Sequence, residues 1–301
     1  MSRIAASLLV LAGGASYGLL GSFVKMAYDA GFTPQDVTSS QFFFALMMLA
    51  ALSAFHWKTI RNLTRSELRL LFLLGVFSAG TTVFYYTSLH YLPASLAIVL
   101  LFQFSWIIML IDYLVVRRKP TFAKWLSLIL VIIGTLLAVN VWKTDWRQVS
   151  ALGLLLGLLS SATYSAFLYW NEKSRSQTPA VVNSFMMGAA SVLAICFVFP
   201  PNFLWNGTLG QGLWMWALLI GCFGQVFPPI LFNKGIPVVG GTLAGLLASI
   251  ELPVAVVAAS ILLREPVGAI RWLGIGLIVT GIVVAELLDR VPANKLVKAH
   301  E

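Results

Sequence analysis

Charge is what this sequence has least of. Asp, Glu, Lys and Arg together make up 10% of its 301 residues, against roughly a quarter in an average soluble domain. Hydrophobic residues make up 59%, and the mean hydropathy is +0.89. A soluble fold of this length has too little interior to hide so much apolar surface. A soluble enzyme and a disordered linker are therefore excluded. Histidine is nearly absent too: His56, His90 and His300 fall at span ends or in the tail, with no spacing that suggests metal ligands. No glycine-rich phosphate loop is present, so nothing in the chain supports ATP-driven transport. No metal and no cofactor is expected. Cys196 and Cys222 both sit in apolar runs and read as buried thiols rather than a disulfide. The net charge of +9 is scattered between apolar runs and forms no continuous basic face, which excludes a nucleic-acid partner.

Long apolar runs dominate what remains. A helix needs about 20 apolar residues to cross a bilayer, and the sequence supplies ten such stretches. They are expected near 4–27, 36–57, 67–88, 94–115, 122–142, 149–171, 179–200, 211–233, 238–263 and 268–288. Placing the N-terminus inside puts fifteen of the 20 basic residues in inner segments, from Arg3 through Lys58, Arg117, Arg118 and Arg175 to Arg290, Lys295 and Lys298. Lys25, Lys143, Arg147, Arg264 and Arg271 fall outside. This asymmetry predicts both termini in the cytoplasm and a multi-pass protein of the cell (inner or plasma) membrane, with the lipid bilayer as a partner.

The sequence also matches itself at a shift of 147 residues. Ala15 and Tyr17 meet Ala162 and Tyr164, Leu96-Ala97 meets Leu243-Ala244, Trp125-Leu126 meets Trp272-Leu273, and Gly134 meets Gly281. The expected organisation is a five-helix repeat over 1–144, a second over 148–290, and a cytoplasmic tail over 291–301. An odd number of spans turns the second repeat upside down. Inverted repeats build carriers whose solute site lies near the midplane between the halves. The repeat also gives the first span a partner, so it reads as a retained helix rather than a cleaved signal peptide.

Several residues stand out for a site. Glu251 lies about 13 residues into the ninth span, roughly 20 Å deep at 1.5 Å per residue, where an acid is costly and functional by default. It could carry a coupling proton, pair with a cationic solute, or satisfy backbone freed by Pro253. Tyr17 and Tyr164 sit halfway along equivalent spans, where they could bind a solute or pack helices together. Gln103 and Trp106 share a helix face, suited to a ligand with a flat part and a polar head or to simple packing. Tyr85 and Tyr86 near a span end suit either a cavity wall or the aromatic belt. Gln225 and Asn233 flank Pro228 and Pro229, whose missing donors mark a hinge or a packing kink. Pro253 is a third hinge candidate. Lys25 and Asp112 are expected to snorkel to the interface.

Three patches carry a family resemblance: Ala15-Ser16-Tyr17-Gly18 with Ala162-Thr163-Tyr164-Ser165; Ser249-Ile250-Glu251-Leu252-Pro253-Val254 followed by Leu262-Leu263-Arg264-Glu265-Pro266; and Trp272-Leu273-Gly274-Ile275-Gly276 with Gly281. From about residue 4 to 288 the chain resembles the drug/metabolite transporter superfamily, in particular its ten-helix EamA family. It departs from the pattern where Tyr17 replaces a common Trp and where Phe104 and Trp106 replace the Glu and Pro in the first half. The first-half turn, Arg117-Arg118-Lys119-Pro120, lacks its Glu. The resemblance implies secondary transport of small metabolites: amino acids, purine-like compounds, choline-like cations, sugars or drugs. The expected function is alternating-access transport of an amino acid or similar amphipathic metabolite, in the export direction, coupled to protons through Glu251. Uptake of a quaternary cation in a cage of Tyr17, Tyr164 and Trp106, drug efflux, and a non-transporting membrane enzyme or scaffold are the alternatives.

Overall fold

The structure is a computed structural model that describes residues 1–117, 119–143, 149–174, 178–264 and 266–288. The expected tail over 291–301, together with Arg118, Arg147, Arg175, Glu265, Arg290, Lys295 and Lys298, lies outside the described residues. The described residues are mostly helical, with no strand among them. Among the described residues, ten helices are long and apolar enough to cross a membrane: α1 Arg3–Asp29, α2 Pro34–Arg61, α3 Arg65–Ser88, α4 Leu96–Val115, α5 Phe122–Val139, α6 Ala151–Glu172, α7 Ala180–Val198, α8 Leu209–Val239, α9 Gly241–Leu262 and α10 Ala269–Leu287. The protein is a multi-pass membrane protein. The eighth span runs six residues past its expected end at 233, to Val239. Pro237 lies inside its last segment without stopping it, and Gly240, with φ +87°, makes the turn into α9.

Caps account for several of the starts. Thr33, Thr64 and Thr121 each accept a main-chain N–H three residues on. At Thr64 the Glu67 carboxylate returns the bond to the Thr64 N–H at 2.9 Å, a reciprocal cap that satisfies two otherwise orphaned donors.

Helix α5 packs on α10, α3 on α6 and α7, and α1 on α8 and α9. Where backbones meet, glycine is required. A Cβ at Gly134 would lie 2.7 Å from both the Gly274 oxygen and the Ile278 side chain. A Cβ at Gly281 would lie 3.0 Å from the Ser127 oxygen and 3.1 Å from Val131. Positions 127, 131 and 134 shifted by 147 become 274, 278 and 281, so both contacts join the same positions under that shift. Small residues thus let α5 and α10 approach as membrane helices do.

Two spans are interrupted at equivalent points. In α4 the break falls at Phe102–Gln103 and in α9 at Ser249–Ile250, again 147 apart. At each, the main-chain bond shortens to an i→i−3 step: Gln103 N donates to Leu100 O and Ile250 N to Leu247 O, both at 3.2 Å. Pro253 sits in the first turn of the following segment, Glu251–Leu262, where its missing N–H costs little. Pro228 and Pro229 sit likewise in the first turn of Phe227–Val239, directly after a π-turn at Cys222–Val226.

Candidate functional site

A cavity of about 420 Å³ opens between α1, α2, α3, α4, α6, α8 and α9, a size suited to a small organic ligand. Its deep end is built by Tyr17 of α1, Tyr164 and Phe167 of α6, and Glu251 of α9. Its wall carries Tyr85 and Tyr86 of α3, whose rings lie 5.8 Å apart. Towards the far ends of α1 and α3 the lining reaches Lys25, Tyr28 and Leu89. The local reasons are legible. The α9 break starts a new helix at Glu251, which puts a carboxylate and the first turn of a half-helix at the same level. Gly18 lets α1 press against that turn: a Cβ there would lie 2.5 Å from the Glu251 main-chain oxygen. On the other side Ser165 donates through Oγ to the Phe104 oxygen at 3.2 Å. Gly18–Glu251 and Ser165–Phe104 are the same pair of positions under the 147-residue shift.

Among the described residues, two fully buried side-chain atoms of the lining have no hydrogen-bond partner: the Tyr164 hydroxyl and the Gln41 Oε1. Tyr164 is held rigidly, edge-on to Phe104 at 4.6 Å and stacked on Phe167 at 6.1 Å. A buried polar atom without a partner costs about 1–3 kcal/mol. Its persistence in a native structure calls for an occupant that supplies the missing bond.

Of the residues singled out in the sequence, Tyr17, Tyr85, Tyr86, Tyr164, Gln225 and Glu251 come together around this cavity. Gln103, Trp106 and Asn233 do not line it. Gln103 repairs the α4 break: its Nε2 donates to the Val99 oxygen at 2.8 Å, the acceptor that the shortened turn releases. Its Oε1 accepts from Trp106 Nε1 at 2.7 Å, and Trp106 is turned outward, 37% exposed. Asn233 is buried elsewhere, in a bond to Asn171 at 2.7 Å. The three prolines do not line the cavity either. Asp112 does not snorkel: it is buried, and Thr242 Oγ1 donates to its Oδ2 at 2.6 Å. Lys25 is exposed near the end of α1 and also lines the cavity. Sequence reasoning missed Gln41, Thr81, Thr82 and Tyr28. The run Thr38-Ser39-Ser40-Gln41 and the pair Thr81-Thr82 were the available signals, since polar residues inside a span face protein rather than lipid.

The profile of the EamA-like transporter family matches residues 4–140 and 149–287. An uncharacterised transporter of Synechocystis is 22% identical over 201 residues, covering 65% of this chain and 60% of that protein. An uncharacterised transporter of Archaeoglobus fulgidus is 23% identical over 268 residues, covering 89% of this chain and 92% of that one. A solved crystal structure shares the fold at a TM-score of 0.70 and 19% identity, covering 96% of this chain and 100% of its own.

Proposed function

The chain belongs to the EamA-like transporter family, and from that premise we propose that it moves small amphipathic metabolites, amino acids foremost, across the cell membrane by alternating access. It is a transporter rather than an enzyme. The observation that carries the finer reading is the convergence of Tyr17, Tyr164 and Glu251, with two unpaired polar groups, on one solute-sized cavity. Tyrosine rings and aliphatic walls suit an apolar side chain. Glu251 suits an ammonium group, and the unpaired Tyr164 hydroxyl and Gln41 oxygen suit further polar atoms. In this reading 1–144 and 148–290 are inverted five-helix halves that rock about the cavity, and the breaks in α4 and α9 together with Pro228, Pro229 and Pro253 serve as hinges. With both termini cytoplasmic, the mouth at Lys25 and Leu89 faces outward. Glu251 exchanges a proton for solute, which drives export.

The test is flux in liposomes holding purified protein, with a panel of radiolabelled L-amino acids supplied on either side. Saturable counterflow of at least one amino acid is expected, and its absence for the whole panel overturns the substrate assignment. The four tyrosines around Glu251 favour a second reading, a quaternary cation held against aromatic rings. Competition by choline but not by amino acids would select it.

A further inference from the structure

If the two halves exchange conformations, the residues that now line the cavity name their own replacements. Shifting by 147 converts Val24 and Lys25 into Asn171 and Glu172, and Tyr85 and Tyr86 into Phe232 and Asn233. None of these counterparts lines the present cavity, yet they cluster. Asn171 Nδ2 donates to Asn233 Oδ1 at 2.7 Å, and Asn233 Nδ2 donates to Ser184 Oγ at 2.9 Å. Glu172 Oε2 accepts from the main-chain N–H of Gly241, which is the counterpart of the cavity residue Ala94, at 2.9 Å. Phe232, next to Asn233 in the chain, is fully buried and abuts Tyr17 at 5.8 Å and Phe167 at 6.5 Å, both of which line the cavity. Asn171 is fully buried, and its Oδ1 has no partner.

We propose that Asn171 and Asn233 form a second solute subsite on the opposite pathway, sealed here beneath Phe232, that takes an N–H-bearing ammonium group once the halves exchange. The inference rests on the carrier reading above. The chemistry follows from the orphan: Asn171 Oδ1 is an acceptor only, so its ligand must bring a donor. Water could also bring one, and the test separates the two by charge and donor count. What sets this orphan apart is its place: Asn171 and Asn233 stand where the 147-residue shift puts the cavity residues Val24 and Tyr86.

The test uses full-length protein with Cys196 and Cys222 replaced by Ser, carrying either Thr82→Cys in the present cavity or Ile236→Cys, the counterpart of cavity residue Leu89. In oriented vesicles, membrane-impermeant trimethylammonium-ethyl methanethiosulfonate should modify the two cysteines from opposite faces. In detergent, aminoethyl methanethiosulfonate, which carries N–H donors, should outpace the trimethylammonium reagent at Ile236→Cys. After correction for the same ratio at Thr82→Cys, the preference should be about tenfold, the scale of one bond to a charged group. Asn171→Val, which copies Val24, should erase that preference; Asn171→Thr replaces it if the valine variant does not fold. Reaction of Ile236→Cys from the Thr82 face, or from neither, overturns the pathway and the subsite, while the flux assay judges the carrier reading separately. Opposite faces with a ratio indifferent to Asn171 overturn the subsite and leave the carrier standing. Reaction of each cysteine from both faces describes an open pore and ends both.

Discussion

A methyl group on Gly18 would come within 2.5 Å of the Glu251 main-chain oxygen, and within 2.7 Å of the Val254 Cβ. The position of Glu251, the only acid among the described lining residues, is therefore fixed by the absence of a side chain on the neighbouring helix. The obstacle is backbone and cannot rotate away. Gly18→Ala is expected to cost about 1–3 kcal/mol through overpacking and to displace Glu251 from Tyr17. A lowered melting temperature, with flux reduced beyond the loss of folded protein, checks it.

Glu251 is the one acid among the described lining residues, facing Tyr17 from α1, Tyr85 and Tyr86 from α3, and Tyr164 from α6, with Lys25 and Tyr28 towards the mouth. If it carries the coupling proton, a proton gradient directed inward should accelerate solute export in the wild-type protein, and Glu251→Gln should flatten that dependence. Loss of a bond to a charged group should also weaken solute binding about tenfold or more. Liposomes with imposed pH gradients give both readouts. Unchanged flux and unchanged pH dependence make Glu251 structural.

Tyr164 separates binding from stability. Its hydroxyl bonds to nothing in the protein, while its ring packs on Phe104 and Phe167. Tyr164→Phe should leave the melting temperature unchanged or slightly raised, because a buried orphan is removed. It should raise the half-saturating solute concentration several-fold. A drop in stability would show that the hydroxyl is bonded within the protein and would remove it from the site.

The sequence exposed the spans and the midplane acid because bilayer thickness and the cost of a buried charge act on composition alone. It also singled out Tyr17 and Tyr164, 147 residues apart, which both line the cavity. It did not expose the fate of Gln103. Nothing in the run Leu101-Phe102-Gln103-Phe104 shows that the helix breaks there, because the run carries neither proline nor glycine. Once it exists, Gln103 is committed to the freed Val99 carbonyl and cannot also serve a solute. Asn233 shows the same limit. Polar side chains in lipid must bond inside the protein, but only the fold decides whether the partner is a ligand or Asn171.

The bond between Asp112 and Thr242 ties the end of α4 to the start of α9. Asp112 is 6% exposed, and its other oxygen, Oδ1, already lacks a partner. Thr242→Val keeps the shape and removes the donor, which leaves a buried carboxylate with neither oxygen bonded. The expected cost is about 1.5–3 kcal/mol, the range for a bond to a charged group. Thr242→Ser keeps the hydroxyl and should retain most of the stability. Thermal unfolding in detergent of the two variants side by side checks this. If the bond also holds the closed end of the bundle shut, Thr242→Val should speed cysteine modification at Ile236→Cys, because the state in which this tie is broken becomes relatively cheaper. Stability lost without faster modification would assign the tie to folding alone.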